Sequence, residues 1–259
     1  MPWGDSMRMR FVALCAMAAA ALAADLPYVG KWKTNLAKSD FGQTTVTMES
    51  LPGGEWQSTA FGVTYKFKMD GKEYPDGMGG TIAWKETGAN TWEAVSRANG
   101  KVTEMDKFKL GADGKTLTQS SNQKKADGGA LDTTSVYQRV SGGPSLAGKW
   151  QTKKVSGASS SMEFVASGAD GLKYHDLDMD MSCDMKLDGK DYTCSGPTIP
   201  PGFTAAVKNS GKALDLTVKK DGKIFFTATY TVSADGKTMT EDAGMTGTGE
   251  KMKIVFDRM

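Results

Sequence analysis

The tripeptide Gly30-Lys31-Trp32 returns as Gly148-Lys149-Trp150, 118 residues further along the 259-residue chain. The residues that follow each tripeptide have the same order of motifs, and the offset between matching motifs changes by only a few residues. A unit of roughly 120 residues is far longer than a solenoid repeat, so each copy is predicted to be a domain with its own core. Two further stretches repeat at nearly the same offset: 69–74 as 187–192, and 137–139 as 256–258.

The runs between these landmarks have the composition of strands. They are short, alternating and rich in β-branched residues, and Gly, Asp-Gly and Asn-Gly separate them. Short links between antiparallel strands favour a closed meander, because closure removes exposed sheet edges. The sequence therefore predicts an all-β protein of two tandem antiparallel up-and-down β-barrels, with about eight strands each. The predicted segments are a signal peptide at 1–24, a barrel at 25–140, a linker at 141–147 and a barrel at 148–259.

The two longest predicted strands, 56–69 and 172–187, have one apolar and one polar face. Odd-numbered residues from 61 to 69 are apolar, and those from 179 to 187 repeat the pattern with a different polar face. A one-sided sheet requires this alternation. The alternating residues Asp176, Asp178, Asp180 and Asp184 therefore predict a solvated outer face, with a Ca²⁺ site as the alternative.

The first residues do not belong to the repeat. Two arginines precede an apolar run at 11–22 that ends in small residues. This pattern predicts a secretory signal peptide cleaved near Ala23 or Ala24, and a periplasmic or secreted mature protein. A lipoprotein modified at Cys15 is the alternative. The apolar run is too short to span a bilayer, so we expect no transmembrane segment after cleavage.

Charge and histidine content exclude several functions. Residues 1–24 contain two arginines and one aspartate, so their removal changes the formal charge from +2 to +1. Lysines are spread along the chain, so no nucleic-acid partner is predicted. His175 is the only histidine, which excludes multi-histidine metal sites and, in the first copy, every histidine-dependent triad. We predict no catalytic residue, metal or cofactor, and the oligomeric state stays open.

Two scarce arginines occupy the same place at the end of each copy. After residue 24 the chain has three arginines, of which Arg139 and Arg258 close the repeats. A guanidinium stacks on an indole and keeps its donors free for carbonyls, which an ammonium does less well. We therefore predict that Arg139 stacks on Trp32 and Arg258 on Trp150, as a structural latch on each barrel. A ligand-binding role is the alternative.

The two cysteines of the mature chain are predicted to form a disulfide. A two-residue hairpin turn at Asp188-Gly189 sets a register that places Cys183 directly opposite Cys194. Directly opposed residues on antiparallel strands lie within reach of a disulfide. A redox-active or metal-binding pair is the alternative, but this spacing is not that of a zinc site.

Two carboxylates distinguish the first copy from the second. At an offset of 122, Glu104 and Asp106 correspond to apolar residues in the second copy's predicted strand 223–233. If both copies turn the same face inward, these carboxylates lie in the lumen, with Arg97 and Glu93 nearby. Paired buried carboxyls have raised pKa values and can transfer protons. The alternative is that a bulge or reversed facing leaves them in water.

The order of these motifs resembles that of a known superfamily. A Gly-x-Trp strand, a β-meander and a closing aromatic-x-Arg strand resemble the calycins, which include lipocalins and fatty-acid-binding proteins. The stretch 32–41, followed by 70–75, is more specifically similar to a group of secreted bacterial lipocalin-like proteins. The second copy lacks the Asn35 and Lys38-Ser39-x-Phe41 elements of that stretch. The resemblance implies barrels that can hold a small ligand.

Three classes of function follow. The first is an exported protein that binds a small amphipathic or apolar molecule, because eight-stranded barrels can enclose one. The second is an envelope structural or interaction protein with filled barrels, and the third is an enzyme that uses Glu104 and Asp106. The candidate ligand-binding residues are Tyr65, Phe67, Trp84, Glu104, Asp106 and Phe108.

Overall fold

The protein consists of two antiparallel β-sheets that curl into barrels. A computed structural model describes residues 26–42, 44–143, 145–246 and 248–259. The predicted all-β, two-barrel architecture is confirmed, although each sheet has ten strands instead of eight. The predicted signal peptide at 1–24, its cleavage site and Cys15 lie outside the described residues. In the described part of the chain, no helix has the length and apolarity needed to cross a bilayer.

The described residues form twenty strands in sequence, with one 3₁₀ turn at Pro52–Gly54. The strands of the first half are β1 (Gly30–Thr34), β2 (Thr45–Leu51), β3 (Glu55–Ala60), β4 (Val63–Lys68), β5 (Asp70–Pro75), β6 (Thr81–Gly88), β7 (Thr91–Ala98), β8 (Lys101–Leu110), β9 (Thr116–Lys124) and β10 (Ala130–Ser141). Those of the second half are β11 (Gly148–Gly157), β12 (Ser161–Ser167), β13 (Gly171–Asp176), β14 (Met181–Lys186), β15 (Tyr192–Ser195), β16 (Phe203–Asn209), β17 (Ala213–Lys220), β18 (Lys223–Val232), β19 (Thr238–Met245) and β20 (Lys251–Arg258).

The two copies exchange their first strands. The first barrel contains β2 to β11 and is nearly closed, with β4 and β5 as its edge strands. The second barrel contains β1 and β12 to β20 and is closed, because β1 pairs with both β12 and β20. The barrels therefore do not coincide with the predicted segments 25–140 and 148–259. The short link at 142–147 explains the exchange, since it lets β10 and β11 pair as a local hairpin with little loop-closure entropy.

The exchange corrects the predicted partners of the two arginines. Arg139 stacks on Trp150, with the guanidinium carbon 4.0 Å from the ring centroid. Arg258 stacks on Trp32 at 4.1 Å. Stacking of arginine on tryptophan is thus present in both barrels, but the assignment of Arg139 to Trp32 and of Arg258 to Trp150 is wrong. Each arginine lies next to the Gly-x-Trp strand that enters its own barrel.

Backbone carbonyls satisfy each stacked guanidinium. Arg258 donates to the carbonyl oxygens of Gly236 at 2.6 Å, Val29 at 2.8 Å and Pro27 at 2.6 Å. The buried indole N–H of Trp32 donates to the carbonyl of Tyr28 at 2.8 Å. These bonds hold the loop before β1 beneath the tryptophan. The first barrel repeats the pattern with Arg139, whose acceptors are the carbonyls of Gly114, Ala147 and Ser145.

The connection at 35–44 carries the chain from the second barrel to the first. Asn35 donates to a carboxylate oxygen of Asp257 at 2.5 Å, and Lys38 pairs with the same carboxylate at 3.0 Å. The Ser39 hydroxyl accepts a backbone N–H of β20 at 3.0 Å. The Asn and Lys-Ser elements thus fix this connection to the last strand. The second copy lacks them because its chain continues as β11 at the equivalent place.

Both of the longest predicted strands are hairpins, so the prediction of two continuous strands is wrong. Phe61 and Gly62 form a two-residue turn between β3 and β4, with positive φ angles of 50° and 75°. Residues 177–180 form the turn between β13 and β14. These two extra turns account for one additional strand in each copy.

The turn at 177–180 shows that the predicted solvated face of aspartates is wrong. Asp178 lies in the turn, is buried, and accepts the backbone N–H of Ser161 at 2.7 Å. Its other oxygen pairs with Lys125 of the first barrel at 3.0 Å. Asp180 also lies in the turn, where it contacts His175 at 3.1 Å. These aspartates therefore fix a turn and a contact between the barrels instead of lining a solvated strand.

The predicted disulfide is confirmed. Cys183 of β14 and Cys194 of β15 are directly opposed in the sheet and are covalently joined, with a Cα separation of 4.3 Å. The turn that sets the register is held by Asp188, which accepts the backbone N–H of Lys190 and the hydroxyl of Tyr192. Asp70 makes the same contacts in the first copy, where no cysteines are present.

Candidate ligand cavity

Stacked aromatic side chains fill the lumen of the first barrel. The ring centroids of Phe67 and Trp84 are 5.1 Å apart, and those of Trp84 and Phe108 are 4.9 Å apart. Tyr65 extends the stack from Phe67 at 5.6 Å, and its hydroxyl accepts the indole N–H of Trp84 at 3.2 Å. Four of the predicted ligand-binding residues therefore contact one another and occupy the space that a ligand would need.

The two predicted carboxylates also face this lumen. Asp106 is buried and accepts hydrogen bonds from the Gln119 amide at 2.9 Å and from the Ser121 hydroxyl. Burial, together with the neighbouring charge of Asp106, raises the pKa of Glu104 to about 7. Burial also raises the pKa of Asp106, against the effect of its two hydrogen bonds. The structure thus places both carboxylates in the lumen instead of in water.

The predicted basic partner of this pair faces outward. Arg97 pairs with Glu73 at 3.3 Å, and Glu93 pairs with Lys107 at 3.9 Å, all on the outer face of the sheet. The prediction that Arg97 and Glu93 join the lumen cluster is wrong. The cause is a register shift between Ser96 and Arg97, which places Ala94 instead of Glu93 opposite Asp106 and leaves Glu93 on the outer face.

The second barrel encloses a largely apolar cavity of about 620 Å³. Side chains of β12 to β20 supply most of its wall, and the disulfide lies in that wall. The end of the first barrel contributes Gln123, Leu131 and Thr133, so both barrels shape the cavity. Prominent apolar residues of the lining are Phe164, Met185, Val207, Leu214, Phe226 and Phe256.

Smaller side chains at equivalent positions explain why this barrel is hollow. Trp84 and Val207 occupy the same place in the two sheets, as the registers of their neighbouring strands indicate. An isopropyl group fills far less space than an indole, and a well-packed lumen is lost when its largest side chains shrink. Three aromatic residues of the first barrel are replaced in this way: Tyr65 by Cys183, Phe67 by Met185 and Trp84 by Val207.

A few polar groups lie within the apolar wall. Glu241 is only 8% exposed, and its carboxylate accepts the hydroxyl of Tyr230 at 3.1 Å. Burial raises the pKa of Glu241 to about 7, although the bond from Tyr230 opposes the shift. Burial likewise raises the pKa of Asp176, and it raises that of Tyr174. All four side chains line the cavity.

None of the six predicted ligand-binding residues lines this cavity. The four aromatic residues Tyr65, Phe67, Trp84 and Phe108 fill the lumen that they were expected to line, and Glu104 and Asp106 lie in the same barrel. The sequence signal that points to the cavity is the smaller size of the second copy's side chains at matched inward positions. The alternation of Met181, Cys183 and Met185 placed these residues inward, and all three line the cavity.

No protein-family model and no curated protein matches this sequence. Within residues 26–42, 44–143, 145–246 and 248–259, no cluster of three or more His, Cys, Asp or Glu side chains has an arrangement that would hold a metal ion.

Proposed function

We propose that this protein is exported and binds a small amphipathic or apolar molecule in the lumen of its second barrel. The single observation that carries this proposal is the cavity of about 620 Å³, which is large enough for a small organic ligand. Its wall combines apolar side chains with a few polar groups, as small-molecule sites commonly do. The resemblance to lipocalin-like proteins supports the same function.

Export is supported by the disulfide and by the N-terminal sequence. The Cys183–Cys194 bond is of the kind that persists in oxidising compartments such as the periplasm. The charged and apolar pattern of residues 1–24 is that of a signal peptide. We therefore propose a periplasmic or secreted location. Mass spectrometry of the protein from its own host should give a mature N-terminus near Asp25, and an N-terminus that retains residues 1–24 would contradict export.

Titration with N-phenyl-1-naphthylamine tests ligand binding. This neutral apolar dye becomes fluorescent when it leaves water, and we expect saturable binding by the chain that begins at Asp25. The variant Val207→Trp introduces at the cavity wall the side chain that fills the first barrel. It should weaken dye binding about tenfold or more, because the indole occupies the space that the dye needs.

Val165→Trp is the matched control, since Val165 is 41% exposed on the outer face of β12. It adds the same indole without entering the lumen and should leave dye affinity unchanged. Near-ultraviolet circular dichroism would verify that both variants keep their tertiary structure. No saturable binding by the parent chain, or equal binding by a folded Val207→Trp variant, would contradict the proposed function.

The first barrel supports a second, structural role within the same protein. Its aromatic stack occupies the lumen, and its β9–β10 end helps to line the cavity of the second barrel. The ion pair between Lys125 and Asp178 joins that end to the turn at 177–180. We propose that the first barrel acts as a filled scaffold that supports the mouth of the second. Loss of dye affinity in Lys125→Ala would agree with this role.

A further inference from the structure

We infer that the ligand of the second barrel is a cationic amphiphile, an apolar amine whose protonated head group binds Glu241. This inference rests on the proposed function and names the chemical class of its ligand. It is carried by the charges that line the cavity, by the contacts of Glu241 and by the aromatic rings around them. Each of these points separates an amine from a fatty acid.

The cavity wall carries acidic groups without basic ones. Glu241 and Asp176 both line it, whereas the described residues of the wall include no lysine, arginine or histidine. A bound carboxylate would meet two acidic side chains and no compensating cation, which is unfavourable in a space shielded from water. A bound ammonium would instead find an opposite charge. The lining therefore selects against anionic amphiphiles.

Glu241 retains hydrogen-bonding capacity on the side of the cavity. Its neighbours in the sheet are Tyr230 of β18 and Ile254 of β20. The Tyr230 hydroxyl donates to one carboxylate oxygen at 3.1 Å, and no other hydrogen bond to Glu241 forms among the residues that the structure describes. A carboxylate accepts at both oxygens, so the second oxygen is open to a donor from a ligand. An ammonium supplies such a donor together with the matching charge.

Aromatic rings around Glu241 favour the same head group. Tyr230 and Tyr174 line the cavity beside the carboxylate, and Phe164 contacts both rings, with centroids 5.5 and 5.6 Å away. The faces of these rings attract cations, most strongly where water is excluded. The apolar remainder of the wall then accommodates a hydrocarbon tail. The cavity thus offers complementary surfaces to both parts of a cationic amphiphile.

Protonation of Glu241 should control this interaction. The other titratable groups that the described residues bring to the cavity wall are Tyr230, Tyr174 and Asp176, and none of them is basic. Because burial raises the pKa of Glu241 to about 7, the side chain is largely neutral at pH 6 and largely ionised at pH 8. An alkylamine stays protonated over that range. Its affinity should therefore rise between pH 6 and pH 8.

Displacement of N-phenyl-1-naphthylamine by three ten-carbon probes tests the inference. Decylamine, decanol and decanoic acid share a tail and differ in head group, and each is used below its micellar concentration at pH 8. We expect decylamine to bind about tenfold more tightly than decanol, with decanoate the weakest. At pH 6 the advantage of decylamine over decanol should fall severalfold, as Glu241 becomes neutral.

Glu241→Gln and Asp242→Asn form a matched pair of variants. Asp242 is the next residue of β19 but is exposed on the outer face, so its variant removes the same charge outside the lumen. Glu241→Gln should reduce the preference for decylamine over decanol to about twofold or less, whereas Asp242→Asn should retain it.

The outcomes separate the inference from the function on which it rests. If the dye binds and Val207→Trp abolishes its binding, but decylamine has no advantage over decanol, the cavity binds ligands and the assignment of an amine is wrong. The same conclusion follows if Glu241→Gln keeps the full preference. If the dye does not bind the parent chain, both the proposed function and the amine assignment fail.

Discussion

The two barrels share a strand pattern and differ in what their lumens contain. In the first barrel, Trp84 lies between Phe67 and Phe108 in a continuous aromatic stack. In the second barrel, Val207 occupies the place of Trp84, and a cavity of about 620 Å³ lies beside it. Both lumens keep inward-facing apolar residues, so the fold does not depend on which barrel is filled. Side-chain volume at a few matched positions decides between a filled lumen and a cavity.

The polar groups of the two lumens differ in a related way. Gln119 and Glu241 occupy equivalent places, each opposite an aromatic residue of the neighbouring strand. Gln119 belongs to a network in which it accepts from Tyr137 at 2.7 Å and donates to Asp106. Within the described residues, Glu241 instead makes one side-chain bond, to Tyr230, and lines the cavity. A satisfied network suits a structural core, whereas an incompletely bonded carboxylate suits recognition.

Truncation of Trp84 should have the largest effect on stability. Trp84→Ala removes the central ring of a filled lumen and should lower the free energy of unfolding by about 3–5 kcal/mol. The equivalent change Val207→Ala removes two methyl groups beside an existing cavity and should cost about 1–2 kcal/mol. Urea denaturation followed by circular dichroism measures both. Equal losses for the two variants would mean that the lumens are filled to the same extent.

A pH series should isolate the buried carboxyl of the second barrel. The folded-state pKa of Glu241 is raised, so its contribution to stability is fully present below its unfolded pKa of about 4.5 and is lost as pH rises through about 7. Glu241→Gln, which copies Gln119, should remove this dependence. The difference in unfolding free energy between variant and parent should therefore shift by roughly 2–3 kcal/mol in favour of the variant between pH 5 and pH 8.

Asp242→Asn is the control for that series, since Asp242 lies on the outer face of the same strand. Its stability relative to the parent should change little over the same pH range. A pH-independent difference between Glu241→Gln and the parent would show that Glu241 ionises in the folded protein as it does in the unfolded chain. The second lumen would then be as well solvated as the surface.

A double-mutant cycle should detect the exchange of first strands through a smaller coupling. Arg258→Lys and Trp32→Phe remove the two partners of one stacked pair and should couple by about 1 kcal/mol. Arg258→Lys and Trp150→Phe affect different barrels and should be additive within about 0.5 kcal/mol. Thermal denaturation of the single and double variants provides the values. If Arg258 coupled to Trp150 instead, the result would show that the first strands are not exchanged.

The sequence was informative wherever local pairing sets the structure. The disulfide followed from one turn and one register, because antiparallel pairing fixes opposed residues once the turn is known. The facing of Glu104 and Asp106, by contrast, stayed open, because it depends on a register shift between Ser96 and Arg97 that the neighbouring turn does not reveal. The hairpin at Phe61 and Gly62 was missed, because the apolar alternation continues across the turn and a phenylalanine rarely adopts positive φ.

Long-range pairing was beyond the reach of the sequence. Arg139 and Arg258 were correctly expected to stack on the Gly-x-Trp tryptophans, but repetition makes the two tryptophans equivalent as partners. Which tryptophan each arginine contacts depends on the length of the link at 142–147 and on the path of the connection at 35–44. The cavity was missed for a similar reason, since the match between Trp84 and Val207 appears only when the strand registers are known.

The exchanged first strand has a consequence for the order in which the protein matures. Arg258 donates to the carbonyl of Pro27, 231 residues away, so the closing seam joins β20 to the loop before β1. The first barrel can assemble as soon as β11 has been synthesised, but the second must wait for the last strand. Contacts of such sequence separation form slowly. In a growing chain the second barrel therefore stays open for longer than the first.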